Sequence, residues 1–216
     1  MRMPEDFGFI PVKPEDAFKY HCSQCGECCK NVKESVMVES LDLFRIAKLL
    51  KIETYQAMEK YTDSVFLTEH YPVLMLKTKE PNDSCIFLNG NKCSVHEAKP
   101  RACRMYPLGA GPKDDLSDFE YLIVSKRQHH FTGETHTVKD WFDCYLTAED
   151  REHVITDLRF CRDINILLML MLPHIKNDAL HILFMNKYVI YDTSEPFQLQ
   201  FVKNMIRLKQ DLEKMI

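Results

Sequence analysis

Four cysteines fall within eight residues, Cys22-Ser-Gln-Cys25-Gly-Glu-Cys28-Cys29. Soft metal ions and iron–sulfur clusters need several thiolates converging on one point. A C-x2-C spacing folds two thiolates back through a tight turn, so the segment reads as a loop. Gly26 supplies the backbone freedom for that turn. The adjacent Cys28 and Cys29 are expected to diverge, because neighbouring side chains point in different directions. They therefore predict either two centres or one centre with a spare, reactive thiol.

The chain holds nine cysteines in 216 residues. Its N-terminal stretch, MRMPEDFGFIPVKPEDAF, is polar and proline-punctuated, without the apolar run of a secretion signal. A reducing cytoplasmic setting is expected, where such cysteines read as ligands rather than disulfides. The net charge is −4, so bulk charge does not indicate a nucleic-acid partner. The longest apolar run, Ile164 to Pro173, is about half of what a membrane span needs and reads as a buried helix.

Patterning predicts an α+β fold. Small strands and hairpins carry the cysteines, and a mostly helical C-terminal half packs on them. Residues 1–19 read as an N-terminal arm, 20–150 as the cysteine domain and 151–216 as a helical extension. Val36 to Val38 reads as a short strand. Ser40 is the expected N-cap of an amphipathic helix over LDLFRIAKLLK, and Thr54 that of a second helix. Val65 to Lys77 reads as strands. In SCIFLNGNKCSV (84–95), Asn89-Gly90-Asn91 predicts a hairpin that brings Cys85 towards Cys93. Cys103 falls on a short helical turn between Pro100 and Pro107, and Asp118 to Lys126 reads as a strand. Thr147, with Asp150 three positions on, predicts the start of a long helix towards Pro173. A helical region over 178–215, broken near Pro196, ends the chain.

The cysteines Cys22, Cys25, Cys28, Cys29, Cys85, Cys93, Cys103 and Cys144, with the linkers VESLDLFRIAKLL, CIFLNGNKCSVHE and KPRACRMYPL, carry a resemblance. The chain resembles the CxxCxxCC cysteine-cluster family, also called YkgJ-like, a zinc- or iron-chelating domain, over about residues 20–150. The resemblance implies metal or iron–sulfur binding through those eight cysteines, with Arg104, next to Cys103, as a donor to a ligand thiolate. After the last cysteine the family often has Pro-Gly, whereas Cys144 is followed by Tyr145-Leu146.

Three cysteines in a CxxCxxC run plus a remote fourth favour a [4Fe–4S] cluster over zinc or iron ions. Eight cysteines also suffice for two four-thiolate sites. Three functions follow: an accessory, redox or metal-handling protein; a protein-modifying enzyme related to flagellin lysine N-methylase, which shares the cysteine motif and would use Cys29 as a free thiol; or a structural zinc module that binds an unidentified protein partner. His96, three residues after Cys93, is a further candidate ligand. His129, His130 and His136, in HHFTGETH, read as an exposed loop, with a second metal site as the alternative. Cys161 reads as a small buried hydrophobe. Met169, Met171 and Met185 read as core filling. Trp141, Phe142 and Tyr106-Pro107 are expected to pack against the site.

Overall fold

The computed structural model describes residues 8–124 and 130–216. Within them the order is β1 (Phe9–Val12), β2 (Ala17–Lys19), β3 (Met37–Val38), α1 (Ser40–Leu50), α2 (Thr54–Tyr61), β4 (Thr62–Phe66), β5 (Pro72–Leu76), β6 (Thr78–Lys79), β7 (Ser84–Cys85), β8 (Leu88–Asn89) and β9 (Lys92–Cys93). There follow α3 (Arg101–Met105), β10 (Leu108–Pro112), β11 (Phe119–Val124), β12 (Thr135–Thr137), α4 (Val138–Tyr145), α5 (Ala148–Leu170), α6 (Lys176–Phe184) and α7 (Phe197–Glu213). The fold is α+β, with a helical C-terminal half. The end of the strand read as reaching Lys126, and His129, lie outside the described residues. Among the described residues no helix is long and apolar enough to cross a membrane.

The strands form small antiparallel sheets. The segment read as an arm is stitched in by two of them: β1 pairs with β11, Phe9 opposite Val124, and β2 pairs with β12, Phe18 opposite His136. A third sheet has the order β3-β5-β4. Two ribbons carry cysteines. β6 pairs with β7, Thr78 opposite Cys85, and β8 pairs with β9, Leu88 opposite Cys93. The predicted hairpin therefore forms, turning at Gly90 with φ +59°.

Helix starts differ from expectation by one residue. Glu39 rather than Ser40 is the N-cap of α1, and its N–H donates to the Asp42 carboxylate at 3.3 Å. Glu53 rather than Thr54 caps α2, its N–H donating to Gln56 at 3.0 Å. An acid at this place also meets the positive end of the helix. Thr147 caps α5 as expected, its hydroxyl oxygen accepting the Asp150 N–H at 3.2 Å.

Three apolar clusters share the interior. Leu41 and Phe44 of α1 pack with Ile164 and Leu168 of α5 and with Phe201, Met205 and Leu208 of α7. Leu43 and Ile46, on the other side of α1, pack with Leu74, Leu76, Phe87 and Leu88. Phe18, Tyr20, Met105, Trp141 and Phe142 form the third. Cys29, Cys85 and Cys93 pack on the second cluster, Cys161 on the first, and Tyr20 and Met105, close in the chain to Cys22 and Cys103, belong to the third.

The apolar run in α5 is buried on one face only. Ile164, Leu168 and Met171 are inside, whereas Ile166, Met169 and Leu170 are more than half exposed. A spacing of four and three residues puts one side of a helix in the core and leaves the other to solvent. Met169 is thus not core filling. Cys161 is not a plain hydrophobe either. Its sulfur lies 3.2 Å from Lys187 Nζ and 3.0 Å from Tyr71 Oη. Lys187 sits on a π-helical turn (Met185–Val189), is 3% exposed, and pairs with Asp157 at 2.8 Å. Burial by itself would raise the Asp157 carboxyl, but Lys187 holds it below the usual range.

Removing one member of a buried ion pair leaves the other charge uncompensated. Asp157→Asn should lower stability by about 3–5 kcal/mol, measured by urea unfolding at pH 7. Leu199→Ala, at an exposed position of α7, should change it by less than about 0.5 kcal/mol.

Candidate metal centre

The CxxCxxCC loop reverses direction through two left-handed residues, Gln24 at φ +53° and Gly26 at φ +74°. Gly26 also makes a close approach. A Cβ there would stand 3.3 Å from Asn91 Cα and 3.3 Å from Leu88 Cδ1, on the β8–β9 hairpin. The loop then tightens into a 3-10 turn over Glu27–Cys29. Beyond it, the Asn31 and Val32 N–H groups donate to the Asn82 and Asp83 carbonyls at 3.1 and 3.0 Å, fastening the loop ahead of β7.

The 3-10 turn overrides the expected divergence of the adjacent cysteines. Cys28 Sγ and Cys29 Sγ lie 3.8 Å apart. Three residues per turn swing neighbouring side chains through a smaller arc than a strand does. Around the pair stand three further thiols. Cys85 is buried, and its sulfur accepts the Phe87 N–H at 3.4 Å. Cys103 lies on α3, and Cys93 leaves the hairpin opposite Leu88. The thiols feel one another. A hydrogen bond with Cys28, then burial and the charges of Cys28, Cys85 and Cys103, push the Cys29 thiol far up. Burial, then Cys85, Asp42, Cys28 and Cys93, push Cys103 up as well. Burial also raises Cys85, against the Phe87 N–H.

A cleft of about 260 Å³ opens over these groups, lined by Cys22, Cys28, Cys29, Cys93, His96 and Lys99 among others. A larger groove of about 640 Å³ between residues 189–193 and α7, lined by Tyr191, Lys203 and Asn204 among others, carries no thiol. Pocket size and donor chemistry disagree, and donor chemistry marks the site.

A second pair of donors stands on the other arm of the loop. Cys25 Sγ lies 3.4 Å from His130 Nε2, and His130 Nδ1 lies 2.6 Å from Tyr106 Oη. The exposed-loop expectation fails here: His130 is 6% exposed. His136 lies 3.3 Å from the Tyr20 carbonyl and stacks edge-on with Trp141. Trp141 in turn donates to the Met105 carbonyl at 2.9 Å and backs Tyr20, as expected of a residue packed behind the site. Tyr20 stands between the arms: burial, and then the charges of Cys22 and Cys28, raise its phenol.

Among the described residues no three Cys, His, Asp or Glu side chains are arranged to hold a metal ion as they stand. The donors are paired rather than gathered. Cys22 and Cys144 are exposed. Cys144 is on α4 beside Tyr145, whose carbonyl accepts from Arg104 at 3.3 Å.

Cys103 is positioned by ion pairs on both sides of it. Arg101 is bidentate to Glu39 at 2.9 and 2.7 Å, and its N–H donates to Asp42 at 2.8 Å. Arg104 is bidentate to Asp150 at 2.9 and 2.7 Å and donates to the Lys99 carbonyl at 3.1 Å. Arg45 reaches Asp150 at 2.6 Å. The Arg104 guanidinium thus faces Asp150. Burial pushes the Asp42 carboxyl up to about 7, with Glu39 adding to the rise against Arg101 and Arg104. Burial would also raise Asp150, but Arg104, Thr147 and Arg45 hold it well below the usual carboxylate range. The HHFTGETH segment had offered His130 as a donor to a second metal site, as the alternative to an exposed loop, whereas sequence spacing gave no sign of Tyr20 or the Arg101–Glu39 pair. The capping patterns at Glu39/Asp42 and Thr147/Asp150 were the available signal for the carboxylates.

Thiols mounted on a short hairpin and a tight loop, beside a cleft, define a cysteine-cluster domain. The chain belongs to the CxxCxxCC family, described as a "putative zinc- or iron-chelating domain", which it matches over residues 21–137. It is similar to the uncharacterized protein MJ0661 of Methanocaldococcus jannaschii, with 31% identity over 106 residues, 48% of this chain and 53% of the relative. The chain thus spans about half the length of that protein. No solved structure matches it.

Gly26→Ala should strain a left-handed residue and press a methyl on the hairpin backbone. The expected loss is about 1–2 kcal/mol by urea unfolding, with weaker metal retention in a chelator competition. Asp150→Asn should cost about 2–4 kcal/mol at pH 7, because Arg45 and Arg104 keep some solvent contact. The Asp150 carboxyl is depressed on folding, so its contribution is complete above about pH 4 and lost as pH falls further. The deficit of the variant should therefore narrow below about pH 4, followed by unfolding at stepped pH.

Proposed function

We propose that the chain is a metal-handling protein that binds iron or zinc through thiolates of the CxxCxxCC run and the downstream cysteines. The observation that carries this is the 3.8 Å separation of Cys28 and Cys29 Sγ at an open cleft. With metal–sulfur bonds of about 2.3 Å and tetrahedral angles, two thiolates on one ion lie about 3.8 Å apart. The donor set therefore fits a thiolate-bound ion. Cys28 and Cys29 would share it, two of Cys85, Cys93 and Cys103 would supply the remaining sulfurs, and backbone donors such as the Phe87 N–H would stabilise their charge. Arg104 would act on the site by holding α3, and so Cys103, in place. Cys22, Cys25 and Cys144 remain candidate ligands.

Access favours handling over a closed structural site. Structural zinc sites are sealed by four ligands, whereas a cleft of about 260 Å³ reaches Cys28 and Cys29 here. A free nucleophilic Cys29 is less well supported. Its hydrogen bond with Cys28 and its burial push the thiol up, and a protonated thiol is a poor nucleophile. An iron–sulfur cluster is the second reading. It is favoured by the CxxCxxC spacing of Cys22, Cys25 and Cys28 and by a thiol count beyond the needs of one ion. In a [4Fe–4S] cluster each iron takes one protein thiolate, so Cys28 and Cys29 would not both be ligands at their present separation.

Protein purified without oxygen should carry stoichiometric zinc or iron. Cys28→Ser and Cys29→Ser should each lose most of it, whereas Cys161→Ser should lose none. Iron with equimolar sulfide and broad visible absorption would select the cluster. A metal-free wild-type chain, or one that keeps its metal in both serine variants, would sink the proposal.

A further inference from the structure

His130 stands far from the cysteine run in sequence and against it in space. Its ring is buried, with one nitrogen at a thiol and the other at a phenol. The thiol is the second cysteine of the run. The phenol belongs to Tyr106, directly after the helix that carries Cys103, and its ring meets the imidazole edge-on at 81°. Tyr106 also contacts Tyr20 edge-on. The imidazole is thus tied to Cys25 by a direct contact and to the ring of Tyr20 through Tyr106.

A buried structural histidine needs only satisfied nitrogens. This one has the arrangement of a ligating imidazole, in which one ring nitrogen is anchored by an oxygen and the other is aimed at the metal position. Distance supports the same assignment. Tetrahedral bonds of about 2.3 Å to sulfur and about 2.0–2.1 Å to nitrogen place the two donors about 3.6 Å apart. The observed separation of Cys25 Sγ and His130 Nε2 is 3.4 Å. The Cys28–Cys29 pair meets the sulfur–sulfur criterion in the same way, so the loop presents two donor pairs, one on each arm.

The geometry points to His130 Nε2 as a metal ligand paired with Cys25, giving the protein a mixed nitrogen–sulfur coordination shell separate from the Cys28–Cys29 pair. Tyr106 is the positioning residue. Its oxygen takes the Nδ1–H, which leaves the Nε2 lone pair directed at the metal. The inference rests on the reading that the cysteine run binds iron or zinc, and it adds a ligand and a second position to that reading.

The test uses the full chain, purified without oxygen with the metal it takes up in the cell. Metal content is measured together with X-ray absorption at the metal edge. Imidazole ligation gives a multiple-scattering signature that thiolates lack. The wild type should show it. His130→Ala should lose it and release metal at least tenfold more readily to a chelator, while retaining the metal held by Cys28 and Cys29. His130→Cys should keep full metal with a sulfur-only shell. Tyr106→Phe should keep the imidazole signature but weaken retention by about 10–100-fold. His96→Ala should change nothing in the nitrogen signal. A wild-type shell of sulfur alone, or an imidazole signature that survives in His130→Ala, overturns this inference while leaving the metal-handling reading intact. A wild-type chain that takes up no metal overturns both.

Discussion

Two arginines on a five-residue helix hold three otherwise separate parts of the molecule together. Arg101 grips Glu39 and Asp42 at the start of α1, and Arg104 grips Asp150 at the start of α5. Each carboxylate already serves a helix N-terminus, so each is doubly committed. Arg45 closes the network onto Asp150 from the middle of α1. Three arginines meet Glu39, Asp42 and Asp150 in a region where each of these groups is largely removed from water, and Arg45 reaches outward to Glu149 as well. Buried ion pairs contribute little net stability. Their value here is positional, because Cys103 lies between the two arginines and cannot shift without breaking one grip.

The thiols form a second, unbalanced charge problem. Burial and mutual repulsion raise Cys29, Cys85 and Cys103, so these sulfurs stay protonated with only protein around them. A bound cation would reverse that balance, and binding would release protons. The proposed metal-handling role would call on that reversal. The hairpin backbone supplies N–H donors rather than side-chain cations for the purpose, and Lys79 stands by at the Leu88 carbonyl.

Much of this was legible along the chain. Turn chemistry announced the Asn89–Asn91 hairpin, and a capping pattern announced α5. Periodicity announced α1, and Gly26 announced the turn of the cysteine loop. Each depends on neighbours within a few residues. The misreadings have a common cause. His130 looked exposed because its burial comes from Tyr106 and the cysteine loop, both distant in sequence. Cys161 looked like a plain hydrophobe because Lys187 and Tyr71 reach it from two other elements. The apolar run from Ile164 to Pro173 looked buried all round, yet only the face towards α7 is covered.

The sequence by itself determined the donor set and its local wrapping, since thiol identity, a glycine at a positive-φ position and two-residue turns are properties of short segments. It also determined the family, which rests on cysteine spacing and linkers. The tertiary structure alone decided which donors meet. Whether Cys28 and Cys29 diverge or approach depends on a 3-10 turn held by the hairpin beneath it. Whether a histidine about a hundred residues away joins Cys25 depends on loop-to-helix packing that no local pattern records. Contacts between residues distant in sequence arise only when the apolar clusters close and bring their elements together.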